Sequence, residues 1–224
     1  AYPTSAYGVM VWWDYGHMVT RIAHRIPTAN PHQRGAGTAA RFFVSQDELS
    51  ANKILDPLGV RYIIVDNTTA TTKFKGGIIE FSGEKAAEFF DIYYRQYDGG
   101  RLKGDYYFYP EYYRSLAVRL YNFNGGRVAP QSTTVISYRD KLFPEGDPYK
   151  EVIDLKTFSN YEAAAAYISG QRTGSYKIVG TDPFMSPIPL EPLANYKLIY
   201  SSDQSIMNPA IGKVPEVKVF EYKR

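Results

Sequence analysis

The sequence predicts an α+β fold, because apolar residues recur at helical spacing early in the chain and β-branched, alternating segments follow later. We expect a helical core that carries the adjacent tryptophans, and a mixed or antiparallel β portion mainly in the C-terminal half. On this reading residues 1–115 form the helix-rich part and residues 116–224 a β-richer part of the same domain. No linker or abrupt change in composition marks the boundary.

The predicted helices can each be assigned from local signals. The sequence Ser45-Gln46-Asp47-Glu48 is typical of a capping box, in which Ser45 and Glu48 satisfy each other's backbone amides, and Gly59 supplies the turn that ends this helix. Ser159 or Asn160 can cap an alanine-rich helix. Helices are predicted over 9–23, 38–44, 46–58, 84–97 and 161–168.

The predicted strands are β-branched or alternate between apolar and polar residues. Residues 60–65 should form a buried strand that ends on Asp66, and a polar loop should follow over 67–72. Residues 115–123 place Leu116, Val118 and Leu120 on one face of a strand. Four prolines exclude regular structure over 183–192. Further strands are predicted over 133–138, 196–200 and 217–222.

Composition excludes several classes of protein. The 224 residues include 26 basic and 23 acidic side chains, a net charge of +3, which is too balanced to indicate a nucleic-acid partner. Cysteine is absent, so disulfides, thiolate metal sites and cysteine nucleophiles are excluded. No apolar run is long enough to span a bilayer. The chain opens on Ala1-Tyr2-Pro3, and we expect it to be part of a longer protein whose missing part lies on the N-terminal side.

Both tryptophans lie in one pentapeptide, Trp12-Trp13-Asp14-Tyr15-Gly16. Two indole N–H donors beside a carboxylate, with apolar ring walls, suit the recognition of a hydroxyl on a peptide or a sugar. The alternative is an aromatic pair that anchors a core and hydrogen-bonds within it. The residues alone leave both interpretations open.

Other features point less specifically to a site. The chain has 21 tyrosines, many of them between Tyr93 and Tyr113, which could form a glycan-binding platform or the edge of a core. The histidines are His17, His24 and His32, and the first two are seven residues apart, too far along a helix to share a metal ion. No complete catalytic motif appears in the chain.

Asp66 and Lys73 are a second candidate pair. Asp66 ends a predicted strand, and Lys73 follows seven residues later, so both would be displayed at the edge of a sheet, where sites are often built. The alternative is an ordinary surface salt bridge that contributes little to stability.

The complete pentapeptide resembles the signature of the catalytic subunit of N-oligosaccharyltransferases. The segments GVRYIIVD, TTKF, LAVRLYNFNG and VKVFEY are similar to the archaeal form of that family's C-terminal globular domain. The resemblance covers most of the chain and is strongest over residues 8–80. It implies that residues 1–224 are the soluble C-terminal domain of a larger membrane protein, on the extracytoplasmic face of the cell membrane, and that the protein is a short archaeal paralogue.

The resemblance also implies an activity, the transfer of a glycan from a dolichyl phosphate carrier to the asparagine of Asn-X-Ser/Thr. Trp12, Trp13 and Asp14 would bind the Ser/Thr hydroxyl of the acceptor polypeptide. The lipid-linked oligosaccharide and a divalent metal, Mn or Mg, would be held by the preceding membrane region, so no catalytic residue or metal ligand is expected in this chain. We therefore expect the isolated domain to be an inactive monomer.

A second motif of the family places an aspartate and a lysine on a kinked helix beside the tryptophans. One archaeal version has Asp, Met and Lys at relative positions 0, +3 and +7. Asp66 and Lys73 match its ends, but Thr69 stands where methionine is expected, so only the two ends are carried over. The alternative to the whole assignment is an extracellular glycan-binding or structural surface domain without catalysis.

Overall fold

A computed structural model of the protein describes residues 6–97, 100–209 and 211–224. None of the helices in these ranges is both long and apolar enough to cross a membrane. The strands, in chain order, are β1 (Gly8–Met10), β2 (Ile26–Pro27), β3 (Val60–Asp66), β4 (Phe90–Gln96), β5 (Leu102–Phe108), β6 (Thr133–Leu142), β7 (Pro148–Phe158), β8 (Ser175–Val179), β9 (Tyr196–Ser201), β10 (Ser205–Asn208), β11 (Gly212–Pro215) and β12 (Val217–Tyr222).

The helices are short and alternate with the strands along the chain. They are accompanied by 3₁₀ turns at Trp13–Tyr15 and Asp56–Leu58 and by a π-helical turn at Phe74–Ile78. The mixture of helices and sheets confirms the predicted α+β class. The α-helices are α1 (Gly16–Arg21), α2 (Ala36–Val44), α3 (Glu48–Leu55), α4 (Asn67–Ala70), α5 (Ile79–Ser82), α6 (Ala86–Phe89), α7 (Pro110–Arg114), α8 (Leu116–Phe123) and α9 (Tyr161–Ser169).

The chain divides into two compact units, and both are discontinuous in sequence. The first unit contains Ala1–Lys85, Arg114–Arg127 and Glu191–Arg224, and the second contains Ala86–Tyr113 and Val128–Leu190. The chain passes between the units at four positions, one of which lies next to the boundary predicted at residue 115.

The first unit is built on a mixed five-stranded sheet with strand order β2-β1-β3-β12-β9. Strand β1 is parallel to both β2 and β3, whereas β12 is antiparallel to β3 and β9. The predicted strands at 60–65, 196–200 and 217–222 are confirmed as β3, β9 and β12. Helix α8 contacts β3, α4 and α2.

Two predictions in the first unit are wrong. Residues 9–23 begin as a strand rather than a helix, because Gly8–Met10 are buried and pair with both β2 and β3. Residues 115–123 form helix α8 rather than a strand. The residues Leu116, Ala117, Val118, Leu120 and Tyr121 are all buried, so the three residues that alternate in sequence are also compatible with a helix buried on most of its surface.

The prediction that Ser45 caps helix α3 is wrong. Asp47 is the N-cap of α3, since its carboxylate accepts a hydrogen bond from the Ser50 amide at 2.8 Å. Ser45 instead donates to the carbonyl of Arg41. The predicted C-terminal turn is confirmed, with Gly59 at φ 58°, where a residue without Cβ is favoured.

The second unit contains a five-stranded sheet with strand order β5-β4-β7-β6-β8. All its neighbouring strands are antiparallel except β4 and β7. The predicted strand at 133–138 and helix at 161–168 are confirmed, and Asn160 caps the helix by accepting from the Ala163 amide at 2.8 Å. The proline-rich run forms no helix or strand.

The predicted helix over 84–97 is wrong, because only Ala86–Phe89 are helical and Phe90–Gln96 form β4. Aromatic residues favour strands, and here they supply the core of the second unit. Tyr93, Tyr107 and Tyr109 are buried in one cluster, where the Tyr93 and Tyr109 hydroxyls lie 2.7 Å apart. Tyr112 and Tyr113 are also buried. The tyrosine-rich segment is therefore mostly core, and these five rings do not form a glycan-binding platform.

Lys218 is a buried cation in the first unit. Its Nζ donates to the Tyr121 carbonyl at 2.6 Å and to Asn124 Oδ1 at 2.7 Å, and it lies over the Tyr121 ring. Burial lowers the pKa of Lys218 from 10.5 to about 8. Between these two pH values the unfolded chain binds a proton that the folded protein has released.

The stability of the 224-residue chain should therefore rise with pH in this window, relative to a Lys218→Met variant that cannot titrate. We expect the wild type to gain about 1.5 kcal/mol over the variant between pH 8 and pH 9.5. Urea unfolding of both proteins at the two pH values measures this difference. Equal changes in the two proteins would show that Lys218 keeps its ordinary pKa.

Candidate functional site

The tryptophan-bearing pentapeptide begins two residues after the end of β1, in the first unit. Trp12 has extended backbone angles, Trp13–Tyr15 form one 3₁₀ turn, and Gly16 begins α1. A Cβ atom on Gly16 would lie 2.4 Å from the Ala29 carbonyl oxygen and 2.6 Å from the Asn30 Cα. This close approach of backbone explains why the pentapeptide ends in glycine.

The two tryptophans have different surroundings. Trp12 is only 3% exposed, and its ring packs edge-on against Phe81, with ring centres 6.0 Å apart. It also lies against Gly77, where an added Cβ would be 3.4 Å from the Trp12 ring. Trp13 is partly buried, with its ring centre 6.1 Å from that of Trp12. Trp12 is therefore a core anchor as well as a wall beside Trp13.

Two polar atoms of this turn are buried without a hydrogen-bond partner among the residues that the structure describes. They are Nε1 of Trp13, a donor, and Oδ1 of Asp14, an acceptor. The other carboxylate oxygen of Asp14 forms an ion pair with Lys73 Nζ at 2.5 Å. Buried polar groups are rarely left unpaired, because each one costs about 1–3 kcal/mol. An unpaired donor and acceptor on adjacent residues mark this turn as a candidate binding site.

Asp66 lies at the end of β3, as predicted, and is 3% exposed. It is the N-cap of α4, and its Oδ1 accepts from the Thr69 amide at 2.5 Å and from the Thr69 hydroxyl at 2.6 Å. The Thr68 hydroxyl donates to the same oxygen at 2.9 Å. Oδ2 accepts from the Tyr15 hydroxyl at 2.5 Å and from Lys73 Nζ at 3.1 Å.

The charge of Asp66 is stabilised by these donors. Burial acts to raise the pKa of its carboxyl group, but the hydrogen bonds from Thr69 and Tyr15 and the charge of Lys73 outweigh burial. The pKa of Asp66 is therefore lowered, and the group stays ionised. Burial and the hydrogen bond to Asp66 raise the pKa of Tyr15, so its phenol remains a hydrogen-bond donor.

Lys73 connects the pentapeptide to the second candidate pair. Its Nζ bridges Asp14 Oδ2 and Asp66 Oδ2, and it lies 4.8 Å from the centre of the Tyr15 ring. The structure thus brings together Asp14, Asp66 and Lys73, which the sequence analysis had singled out separately. Because Asp66 is buried, this is not an ordinary surface salt bridge.

The segment between Asp66 and Lys73 is helical, so the predicted polar loop is wrong. Helix α4 follows Asp66, and the π-helical turn Phe74–Ile78 and α5 follow Lys73. Asp66 caps α4, and the buried Ala70, Phe74 and Ile78 hold the segment against the unit. Non-helical backbone angles at Thr71 and Gly76 interrupt it. This interrupted helix agrees with the kinked helix that the family resemblance implied.

Sequence reasoning missed two members of the site, Tyr15 and Thr69. Tyr15 is part of the pentapeptide, but nothing in the sequence indicates that its hydroxyl reaches Asp66, 51 residues away. Thr69 was set aside because the family has methionine there, yet it donates two hydrogen bonds to Asp66. A threonine three residues after an aspartate that ends a strand is compatible with a capped helix, and this signal could have identified it.

The histidines lie on and after α1, and two of them are in contact. His17 and His32 are in edge-on ring contact, with centres 5.9 Å apart, and His24 has a positive φ of 52°. Over residues 6–97, 100–209 and 211–224, no group of three or more His, Cys, Asp or Glu side chains could hold a metal ion.

Comparison with known proteins connects this site to a family. Residues 1–70 match the family described as the AglB core domain. The chain is 32% identical over 231 aligned positions to the dolichyl-monophosphooligosaccharide–protein glycotransferase AglB of Haloferax volcanii, covering 92% of the chain and 21% of that relative. It is 40% identical over 81 positions to dolichyl-phosphooligosaccharide-protein glycotransferase 3 of Archaeoglobus fulgidus, covering 33% of the chain and 9% of that relative.

Solved structures share the fold. The Archaeoglobus fulgidus oligosaccharyltransferase AglB, in complex with an inhibitory peptide and a dolichol-phosphate, matches 99% of the chain with a TM-score of 0.55 and 20% identity. A second structure is that of the oligosaccharyltransferase of the same organism, tethered to an acceptor peptide with the NVT sequon. It matches the chain with a TM-score of 0.54 and 20% identity. In each case the chain covers 28% of the larger protein.

These similarities agree with the residues from which the resemblance was first drawn. The matched core domain includes the tryptophan pentapeptide and extends through Asp66, and the Haloferax relative aligns with nearly all of the chain. The first 70 residues therefore match the AglB core domain, and nearly the whole chain is similar to a part, 21% in length, of the Haloferax glycotransferase.

Proposed function

We propose that the chain is the acceptor-recognition domain of an N-oligosaccharyltransferase, in which Trp12, Trp13 and Asp14 bind the hydroxyl of the serine or threonine two residues after the acceptor asparagine. The observation that carries the proposal is the unpaired donor and acceptor on adjacent residues, Trp13 Nε1 and Asp14 Oδ1. A hydroxyl group has one donor and two acceptor lone pairs, so it can pair with both atoms at once.

Such a site discriminates strongly against acceptors without a hydroxyl. Binding an alanine in place of threonine leaves the indole N–H and the carboxylate oxygen unpaired, so the two hydrogen bonds that a threonine hydroxyl would form are absent. Both atoms are closed off from solvent in this structure. Entry of the hydroxyl therefore requires a local movement of the side chains that cover them.

The carboxylates of this candidate site do not fit a divalent metal. The two carboxylates of the site, Asp14 and Asp66, both bind the ammonium of Lys73, which would repel a second cation. We assign the Mn or Mg ion, its acidic ligands and the dolichyl-linked glycan to a membrane region outside this chain. On this proposal the domain is a monomer on the extracytoplasmic face of the membrane. It positions the acceptor and is inactive without the membrane region.

Replacing Trp13 by phenylalanine in the full-length protein tests this function. The change keeps an aromatic wall and removes the Nε1–H donor. We expect the KM for an Asn-X-Thr peptide to rise on the order of tenfold to a hundredfold. Tyr200→Phe, which alters an exposed ring of the same unit, is the control. An unchanged KM in a folded Trp13→Phe protein would contradict the proposal and leave a structural role for the tryptophan pair.

A further inference from the structure

Tyr15 contacts both members of the second candidate pair, although it belongs to the pentapeptide. Its hydroxyl donates to Asp66 Oδ2 at 2.5 Å, and its ring lies 4.8 Å from Lys73 Nζ. We propose that Tyr15 is a positioning residue that holds Lys73 against Asp14 and thereby presets Asp14 for the acceptor hydroxyl. This inference rests on the proposed function and adds to it a residue that does not itself touch the acceptor.

The ring of Tyr15 is well placed for this role. It packs beside the buried Val9, Val11 and Val19, which fix its position relative to β1 and α1. Asp14 immediately precedes it on the same 3₁₀ turn. A contact from Tyr15 to the Asp66–Lys73 pair therefore ties the turn that carries Asp14 to the segment that carries Lys73.

The hydroxyl of Tyr15 controls how Lys73 is shared between two carboxylates. Oδ2 of Asp66 accepts hydrogen bonds from both Tyr15 and Lys73. Among the described contacts, Oδ2 of Asp14 has one partner, the ammonium of Lys73. Without the phenol, Asp66 Oδ2 depends on Lys73 alone, and the ammonium moves toward Asp66. Asp14 then loses its contact with Lys73. That contact orients the carboxylate so that Oδ1 can accept a hydrogen bond from the acceptor hydroxyl.

Tyr15→Phe isolates the hydroxyl, because phenylalanine keeps the packing and the cation–π contact. In the full-length protein we expect the KM for an Asn-X-Thr peptide to rise about tenfold, with kcat changed by less than about threefold. The matched control is Tyr222→Phe, which removes a phenol-to-carboxylate hydrogen bond to Asp56 in the same unit. The control should leave both constants unchanged.

A double-mutant cycle shows whether Tyr15 acts through Lys73. Lys73→Met alone should also raise the KM, and adding Tyr15→Phe to it should have no further effect. Equal effects of Tyr15→Phe with and without Lys73 would overturn the positioning role, as would an unchanged KM in a folded Tyr15→Phe protein. If Tyr15→Phe does not fold, Lys73→Met alone decides, and an unchanged KM overturns the proposal.

The Trp13 variant separates this inference from the proposed function. If Trp13→Phe raises the KM but Tyr15→Phe does not, acceptor recognition stands and only the role of Tyr15 fails. If neither variant changes the KM, the proposed function itself fails.

Discussion

Replacing Asp14 by asparagine in the full-length protein should lower kcat/KM for an Asn-X-Thr acceptor on the order of a hundredfold, without loss of the fold. The side chain keeps its size, but only one of its two polar atoms remains an acceptor. In the wild type the ammonium of Lys73 contacts Asp14 Oδ2. Because Lys73 requires an acceptor, the amide oxygen of the variant takes this position. The amide nitrogen then occupies the position of Oδ1.

A hydroxyl entering that site meets two donors, the Trp13 indole and the new amide, and its own proton has no acceptor. The variant should therefore lose its preference for a hydroxyl as well as its rate. Comparing Asn-X-Thr and Asn-X-Ala peptides measures this preference directly. The control is Asp203→Asn, an exposed aspartate in the same unit. If Asp14→Asn keeps the wild-type preference for threonine over alanine, Asp14 does not bind the hydroxyl.

Replacing Asp66 by alanine should destabilise the chain by about 3–5 kcal/mol, because it removes the buried acceptor of a charged network. Lys73, the Tyr15 hydroxyl and the Thr69 amide and hydroxyl all lose their common partner. Asp47→Ala is the matched control, since Asp47 is also an aspartate N-cap but is exposed. It should cost about 1 kcal/mol, the usual contribution of an N-cap. Urea unfolding of the three proteins measures both values, and equal losses would show that the network adds nothing beyond the cap.

The contribution of Asp66 should also depend on pH. Its pKa in the folded protein is lowered below 3.8, so the folded state binds fewer protons than the unfolded chain near that pH. The stabilisation is therefore complete above the unfolded pKa and is lost as the pH falls through the folded value. The stability difference between the wild type and Asp66→Asn should shrink when the pH is lowered from 7 to 3. A constant difference would mean that the charge of Asp66 does not stabilise the fold.

Features that depend on local chemistry could be predicted from the sequence. The β-branched run before Asp66, the turn at Gly59 and the cap at Asn160 each specify their own structure, and the structure confirms all three. The pentapeptide was recognisable in the same way as a candidate site, although its residues alone left a structural role open. The three confirmed signals need no partner from elsewhere in the chain.

Tertiary structure decided the elements whose local signals were ambiguous. Residues 90–96 and 116–123 contain apolar residues compatible with either a helix or a strand, and the choice followed from what each segment packs against. Tertiary structure also assembled the site, because Tyr15 and Lys73 reach Asp14 and Asp66 across a strand and a helix interruption. Contacts between residues far apart in sequence leave no periodic signal. The candidate residues could therefore be identified from the sequence, but the hydrogen bonds and ion pairs that join them could not.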